Sequence, residues 1–199
     1  MKIAFCDFET TGLPAWQQPS DHVCQPWIVS QSVIKRNDFD EIAQHYTLVT
    51  AGAESDPEAL DAHGLTHAFL AENGQPAAEA IQDFVSLISD VDLFVSHNVH
   101  FDRRIARIAI KRFLGIDQAE AFKNTPYFCT MQAYKQMKGL KKFDKGGSLD
   151  AACQGMEIPE LKPRAGKHHA LDDTKRCMAL FDALVMVGHG PAGYHPIAA

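Results

Sequence analysis

The chain has 199 residues, of which 46% are hydrophobic and 22% charged, and it carries a formal net charge of −6. That is one domain's length, with enough apolar mass to build a core without staples, and the composition excludes a disordered or fibrous chain. Five scattered cysteines (Cys6, Cys24, Cys129, Cys153 and Cys177) show no C-x-x-C spacing, which argues against a zinc ribbon or a disulfide framework and for a reducing, cytoplasmic setting.

Lys2 to Phe8 is a continuous apolar run rich in β-formers and predicts a buried strand. It is broken by Asp7 and Glu9, too early for a signal peptide or a membrane span. A loop rich in Pro and Gln follows from Pro14 to Pro26, then two strands, Ile28 to Lys35 and His45 to Val49. Asp56-Pro57 opens a short helix, and Pro76 opens another on which Ala77, Ile81, Phe84, Val85 and Ile88 share one face. Val91 to Val95 is a further strand. Phe101 to Phe113 is a helix whose outer side is basic (Arg103, Arg104, Arg107, Lys111, Arg112). Tyr127 to Cys129 forms a short strand leading into a helix near Met131. Ser148 to Gln154 is a short helix, and Ala170 to Val185 the last long one, ended by Gly188-His189-Gly190-Pro191. The order predicts a mixed sheet with helices on its faces, over residues 1–187, followed by a short frayed tail, 188–199.

Charge is unevenly distributed. Asn37 to Asp102 holds thirteen acids and no Lys or Arg, whereas Arg103 to the end holds sixteen basic residues against nine acids, a local balance of +7. A basic half can face a polyanion even when the whole chain is acidic, though solvated helix faces give the same pattern.

Three placements of acids are wrong for a core. Asp7 and Glu9 are two apart on a strand and so project from one face, where two carboxylates repel unless a cation lies between them. Hard oxygen ligands of this kind suit Mg²⁺ or Mn²⁺; a strand running out into solvent gives the same pattern. Asp102 shares a helical stripe with Ile105, Ala106, Ala109 and Phe113, so it points inward; a first-turn acid complementing the helix dipole is the plainer account. Asp173 likewise shares a stripe with Cys177, Leu180 and Leu184. His168, just before that helix, is an imidazole able to take a proton from water near pH 7. His168 and His169 are adjacent, not i and i+4, so a shared helical zinc is disfavoured, and no His-Asp dipeptide supports an HD-type phosphohydrolase. Four carboxylates and one histidine are the inventory of a two-metal phosphodiester hydrolysis.

Phe5 to Leu13 resembles the first motif of the DEDDh (DnaQ-like) 3′→5′ exonucleases, D-x-E-T-T-G. Ser96 to Asp102 resembles the second, H-N-x-x-F-D, and His168 to Asp173 the third, H-x-A-L-x-D, whose spacing selects His168 over His169 and Asp173 over Asp172. His63-Gly64-Leu65-Thr66 and Cys129-Thr130-Met131 resemble two intervening family segments, and the resemblance spans about residues 2 to 186. Asp102-Arg103-Arg104 with Cys129-Thr130-Met131 is most similar to the exodeoxyribonuclease X branch.

The resemblance implies a ribonuclease-H-like α/β fold and two divalent metal ions, Mg²⁺ or Mn²⁺. It implies that Asp7 bridges both metals, that Glu9 and Asp173 hold the one beside the attacking water, and that Asp102 supports the other. His168 becomes the general base. Thr10, Gly12 and Leu13 approach the 3′-terminal sugar and base, and His63, Asn98 and Phe101 shape that pocket. The implied substrate is a single-stranded or frayed DNA 3′ end released as nucleoside 5′-monophosphates, with RNA, a polymerase-associated proofreading role and a homodimer as alternatives. The basic face from Arg103 to Arg112 and the Lys138 to Lys145 stretch are expected to track the backbone.

Overall fold

A computed structural model describes residues 1–159 and 167–194. Three strands, β1 (Lys2–Thr10), β2 (Ile28–Asn37) and β3 (Asp40–Thr50), form an antiparallel meander. Then come α1 (Pro57–His63), α2 (His67–Asn73), a two-residue β4 (Gln75–Pro76) and α3 (Ala77–Ile88). β5 (Leu93–Ser96) runs parallel to β1 and leads into α4 (Val99–Leu114) and α5 (Ile116–Lys123). β6 (Tyr127–Cys129) runs parallel to β5, followed by α6 (Thr130–Lys138), a 3₁₀ turn at Lys145–Gly147, α7 (Leu149–Gly155) and α8 (Ala170–Met186). The six-stranded sheet has the order β4-β3-β2-β1-β5-β6, the mixed sheet with flanking helices that the sequence predicts.

Strand alternation divides β1 between two cores. Ala4, Cys6 and Phe8 pack with residues of α3 and α4, including Phe84, Ile105 and Ala109. Ile3 and Phe5 pack on the opposite face with Cys177 and Phe181 of α8. Asp7 and Glu9 continue the Ile3–Phe5 row and so lie on the α8 side. A register shift between Glu9 and Thr10 breaks the pairing with β2 there, a bulge of the kind that re-aims side chains at a sheet's end. β1 and β5 are parallel neighbours, with Phe5 opposite Val95, and β1 runs on past the end of β5; open α/β sheets bind ligands outside such carboxyl ends.

Several elements depart from expectation. β3 begins at Asp40 rather than His45, because Asp38 turns the chain with a φ of 52° and extends the hairpin. α2, β4 and α5 were not foreseen. α2 is one short stretch capped by Thr66, whose Oγ1 accepts from Phe69 N at 3.2 Å, and α5 starts from Gly115, whose φ of 93° needs glycine. The tail is not frayed through Tyr194, whose ring packs on Phe181 with centroids 5.8 Å apart; residues 195–199 lie outside the described ones. No helix among the described residues is long and apolar enough to cross a membrane.

The Pro14–Pro26 loop is organised by one side chain. Gln25, buried to 2% exposure, accepts from Ala15 N and donates to the carbonyls of Ala15, Gln18 and Pro19 at 2.9–3.2 Å. The basic face of α4 then clamps the loop from outside. Arg104 donates to Ser20 Oγ (2.9 Å) and to the Gln18 carbonyl, Lys111 pairs with Asp21 at 2.9 Å, and Arg112 donates to the Gln25 and Pro26 carbonyls at 2.8 and 3.0 Å. Much of the face expected to track a nucleic-acid backbone is therefore spent on fixing this loop.

Candidate active site

Each acid is delivered by its element. Asp7 and Glu9 come from the end of β1, Asp102 from the first turn of α4, and Asp173 from the first turn of α8. Asp102 is 2% exposed and Asp173 9% exposed, so both inward stripes read from the sequence are real. Burial raises the Asp7 carboxyl well above the usual carboxylate range, and the charges of Asp102, Glu9 and Asp173 push it further. Burial likewise lifts Glu9 to about 7, with Asp173 adding and His168 opposing. Asp102 is lifted to about 8, again chiefly by burial.

His168 sits at the rim. Its Nδ1 is 3.1 Å from Asp173 Oδ2, and that bond is the main reason its pKa is raised. Donor atoms of Glu9, His168 and Asp173 all lie within 4.8 Å of one another. The segment carrying His168 is stitched to α1: its backbone N–H donates to the Ala62 carbonyl at 2.8 Å, and Lys167 Nζ pairs with Asp61 at 2.8 Å. Four half-buried or buried carboxylates held against their own repulsion are a donor set for hard divalent cations, which would remove both the repulsion and the desolvation cost. Asp7, Glu9, Asp102 and Asp173 thus fit the expected metal ligands.

Beside this cluster lies a cleft of about 440 Å³ lined by Phe8, Glu9, Thr10, Gly12, Leu13, Asp56, Glu58, Ala59, Ala62, His63 and Phe101. It brings together Thr10, Gly12, Leu13, His63 and Phe101 as the sequence predicts. Asn98 stands apart from this wall: it is exposed and holds the left-handed backbone (φ 69°) that lets β5 turn into α4, a conformation asparagine tolerates. His63 accepts from Leu65 N at Nδ1 (2.9 Å), so its proton is on Nε2, which faces Ser55 Oγ at 3.4 Å. A Cβ at Gly12 would meet Asp56 Oδ2 at 2.4 Å, so a larger residue there would have to displace that carboxylate.

Sequence reading missed four contributors. Asp56 and Glu58 reach the cleft because Asp56 N bonds the Thr11 carbonyl at 2.8 Å, a contact across 45 positions that no local pattern signals. Arg176 donates to Asp173 Oδ1 at 3.2 Å and also pairs with Asp150. Its position three residues after Asp173 on a helix was the available signal. His97 joins the end of β5 to α6 and the 3₁₀ turn, facing Thr130 Oγ1 at 3.0 Å and the Gly147 carbonyl at 2.9 Å; burial lowers it to about 4, so it stays neutral. His169, which the spacing of the third motif passes over, stacks on Tyr46 with centroids 4.5 Å apart.

The exonuclease family model, RNase T, matches residues 4–181. The chain is 26% identical over 175 residues to the PolC-type DNA polymerase III of Thermotoga maritima and 25% identical to that of Thermotoga petrophila. Each match covers 88% of this chain and 11% of the polymerase, so the chain spans a small part of those relatives. Among solved structures, E. coli exonuclease I in complex with a dA16 oligonucleotide superposes with a TM-score of 0.73 at 16% identity, over 93% of this chain and 41% of that one. The zinc-bound form of the E. coli exonuclease I–single-stranded DNA complex gives the same score and identity over 94% and 40%. Exonuclease X in complex with 5′-overhanging duplex DNA aligns over 98% of this chain and 95% of that one, with a TM-score of 0.60 and 20% identity. With a family match running from β1 into α8 and a sheet of the same architecture, the chain belongs to the DnaQ-like exonuclease family and has its ribonuclease-H-like fold.

Proposed function

We propose that this chain is a divalent-metal-dependent 3′→5′ exonuclease that removes nucleoside 5′-monophosphates one at a time from single-stranded or frayed DNA. The observation that carries this reading is the convergence of four carboxylates and His168 at the edge of a cleft sized for a small ligand such as one nucleoside. The oligonucleotide-bound relatives support DNA as the polymer.

Asp7, Glu9, Asp102 and Asp173 would hold the metals, with Asp7 central because it feels the charge of all three other acids. Two Mg²⁺ or Mn²⁺ ions, when bound, neutralise the scissile phosphate and acidify the attacking water. His168 uses Asp173 to fix its Nδ1, which leaves Nε2 to take the proton from that water. The water oxygen bonds to phosphorus, the bond to the upstream 3′ oxygen breaks, and that oxygen leaves as the new 3′ hydroxyl. Thr10 to Leu13, His63 and Phe101 hold the departing nucleoside, with Leu13, 78% exposed, at the mouth of the cleft.

The test is digestion of 5′-labelled DNA and RNA oligonucleotides of one sequence in Mg²⁺, in Mn²⁺ and in EDTA. A metal-dependent ladder shortening from the 3′ end, faster on DNA, is expected; absence of a ladder on both polymers sinks the reading.

The cleft also predicts end chemistry. Glu9, Asp56 and Glu58 line it, and among the described residues no lysine or arginine does. A 3′-phosphate would place like charges together, so a 3′-phosphorylated oligonucleotide should be cut about 10²-fold more slowly than its 3′-hydroxyl form. Asp56→Asn with Glu58→Gln should recover part of that loss; equal rates on both ends would show that these acids do not face the terminal 3′ oxygen.

A further inference from the structure

A second cleft, of about 360 Å³, lies on the flank of α4 and is lined by Trp16, His100, Arg103, Arg104, Arg107, Phe122 and Lys123. Its wall is unusual in two respects. Trp16 is 57% exposed although the loop that bears it is fixed, by Gln25 from within and by Arg104, Lys111 and Arg112 from α4. An exposed indole on a pinned loop loses little freedom when something stacks on it. The second feature is charge. Arg103 stacks over Tyr127 at 4.1 Å and donates to the carbonyls of Lys123 (2.6 Å) and Thr125 (3.4 Å), while Arg104 donates only to a carbonyl and a hydroxyl. Among the described residues no carboxylate pairs with Arg103 or Arg104, and Glu120 is the one acid paired with Arg107 and Lys123. The terminal nitrogens of Arg103 and Arg104 are held by protein oxygens, the buried Nε of each has no hydrogen-bond partner among the described residues, and their positive charge is not neutralised, so the cleft lacks an anion beside an aromatic face.

His100, Arg103 and Arg104 share α4 with Phe101, which lines the first cleft, so the two clefts lie against the same helix. We propose that this cleft is a second nucleic-acid subsite, in which a base upstream of the 3′-terminal nucleotide stacks on Trp16 and its phosphates lie against Arg103, Arg104 and Lys123. Its position relative to the 3′ end rests on the exonuclease reading; its affinity for an oligonucleotide does not. The arginines that clamp the loop thereby have two uses, since they position the stacking residue and leave their charge facing the strand.

The experiment measures binding apart from cleavage. Anisotropy of 5′-labelled oligo-dT of two to twelve nucleotides is recorded in EDTA for the wild type, Trp16→Ala and Trp16→Phe, and cleavage of the same oligonucleotides is then followed in Mg²⁺. One lost stacked base should weaken binding of oligonucleotides longer than about four nucleotides by roughly tenfold, leave the dinucleotide within about twofold, and be largely restored by Phe. Affinities of Trp16→Ala equal to wild type at every length overturn the subsite. So does a tenfold loss that a poly-glutamate peptide shows equally, which would assign the cleft to an acidic protein. A chain that shows the binding pattern but cuts nothing retains the subsite and refutes the exonuclease reading.

Discussion

Asp7→Asn is expected to lower exonuclease turnover by at least about 10³-fold while making the metal-free protein more stable at pH 8. The two effects have one cause. Asp7, Glu9 and Asp102 all have folded-state pKa values above their ordinary ones, Glu9 at about 7 and Asp102 at about 8, because they are buried next to one another. An unfolded chain releases these protons by about pH 5, whereas the native metal-free state still binds them. Native protein then holds more protons than unfolded protein, so these groups contribute stability at low pH that is lost as pH rises through about 7 to 8. Removing the charge of Asp7 relieves its neighbours. The expected gain in EDTA at pH 8 is on the order of 1–3 kcal/mol, or roughly 3–8 °C in Tm for a domain of this size.

Divalent metal should reverse the ranking. Wild type should gain several degrees from Mn²⁺ at pH 8 and Asp7→Asn much less, because linkage stabilises only the state that binds. Thermal shift in EDTA and in Mn²⁺, for both proteins at pH 5.5 and pH 8, reads all four corners. A variant less stable than wild type in EDTA at pH 8 would mean that Asp7 is a structural acid with a partner and not one of a set of repelling ligands.

What could be read from the sequence follows the range of the forces involved. β1 and α8 were legible because period and polarity conflict locally: Asp7 and Glu9 interrupt an apolar strand, and Asp173 interrupts an apolar helical stripe. The wall formed by Asp56 and Glu58 was not, since it depends on a backbone hydrogen bond from α1 to the end of β1. The α4 arginines were legible as a charged face, but their partners are carbonyls of a loop more than eighty residues earlier, which no periodicity encodes. The family resemblance implies a pocket role for Asn98, while its backbone shows a local reason for asparagine, the left-handed turn into α4. The bulge at Glu9–Thr10 and the short helices α2 and α5 were invisible for a related reason: each is decided by what packs on it, not by intrinsic preference.

The α8 face of the sheet couples the two kinds of residue. Thr174 Oγ1 bonds back to the Ala170 carbonyl at 2.7 Å, and Cys177 and Phe181 lock the following turns onto Ile3 and Phe5. Asp173 is therefore held rigidly on the helix, and Arg176 fixes one of its oxygens while the other meets His168. The acid is placed by a packed core and the histidine by a loop tied to α1. Chemistry that needs both therefore depends on the same α1 that lines the proposed nucleoside cleft.

His168→Ala should lower kcat by roughly 10²–10⁴-fold with KM for DNA changed less than about threefold, the signature of a lost proton acceptor and not of lost substrate binding. The pH profile gives the sharper reading. A general base must be neutral, so wild-type kcat should fall as pH drops through the His168 pKa, which the hydrogen bond to Asp173 raises above the ordinary histidine value. The carboxylates also titrate upward of their usual range, so an acidic limb alone does not identify its owner. Removing the imidazole does: in His168→Ala the part of the limb that belongs to His168 disappears, and added imidazole should restore part of the rate with a limb at its own pKa. Mn²⁺ affinity, followed by thermal shift, should fall less than tenfold in this variant, because the four carboxylates remain. Full activity at pH 7 in His168→Ala, or a loss explained entirely by weakened Mn²⁺ binding, would transfer the base role elsewhere and leave His168 as a ligand or a packing residue.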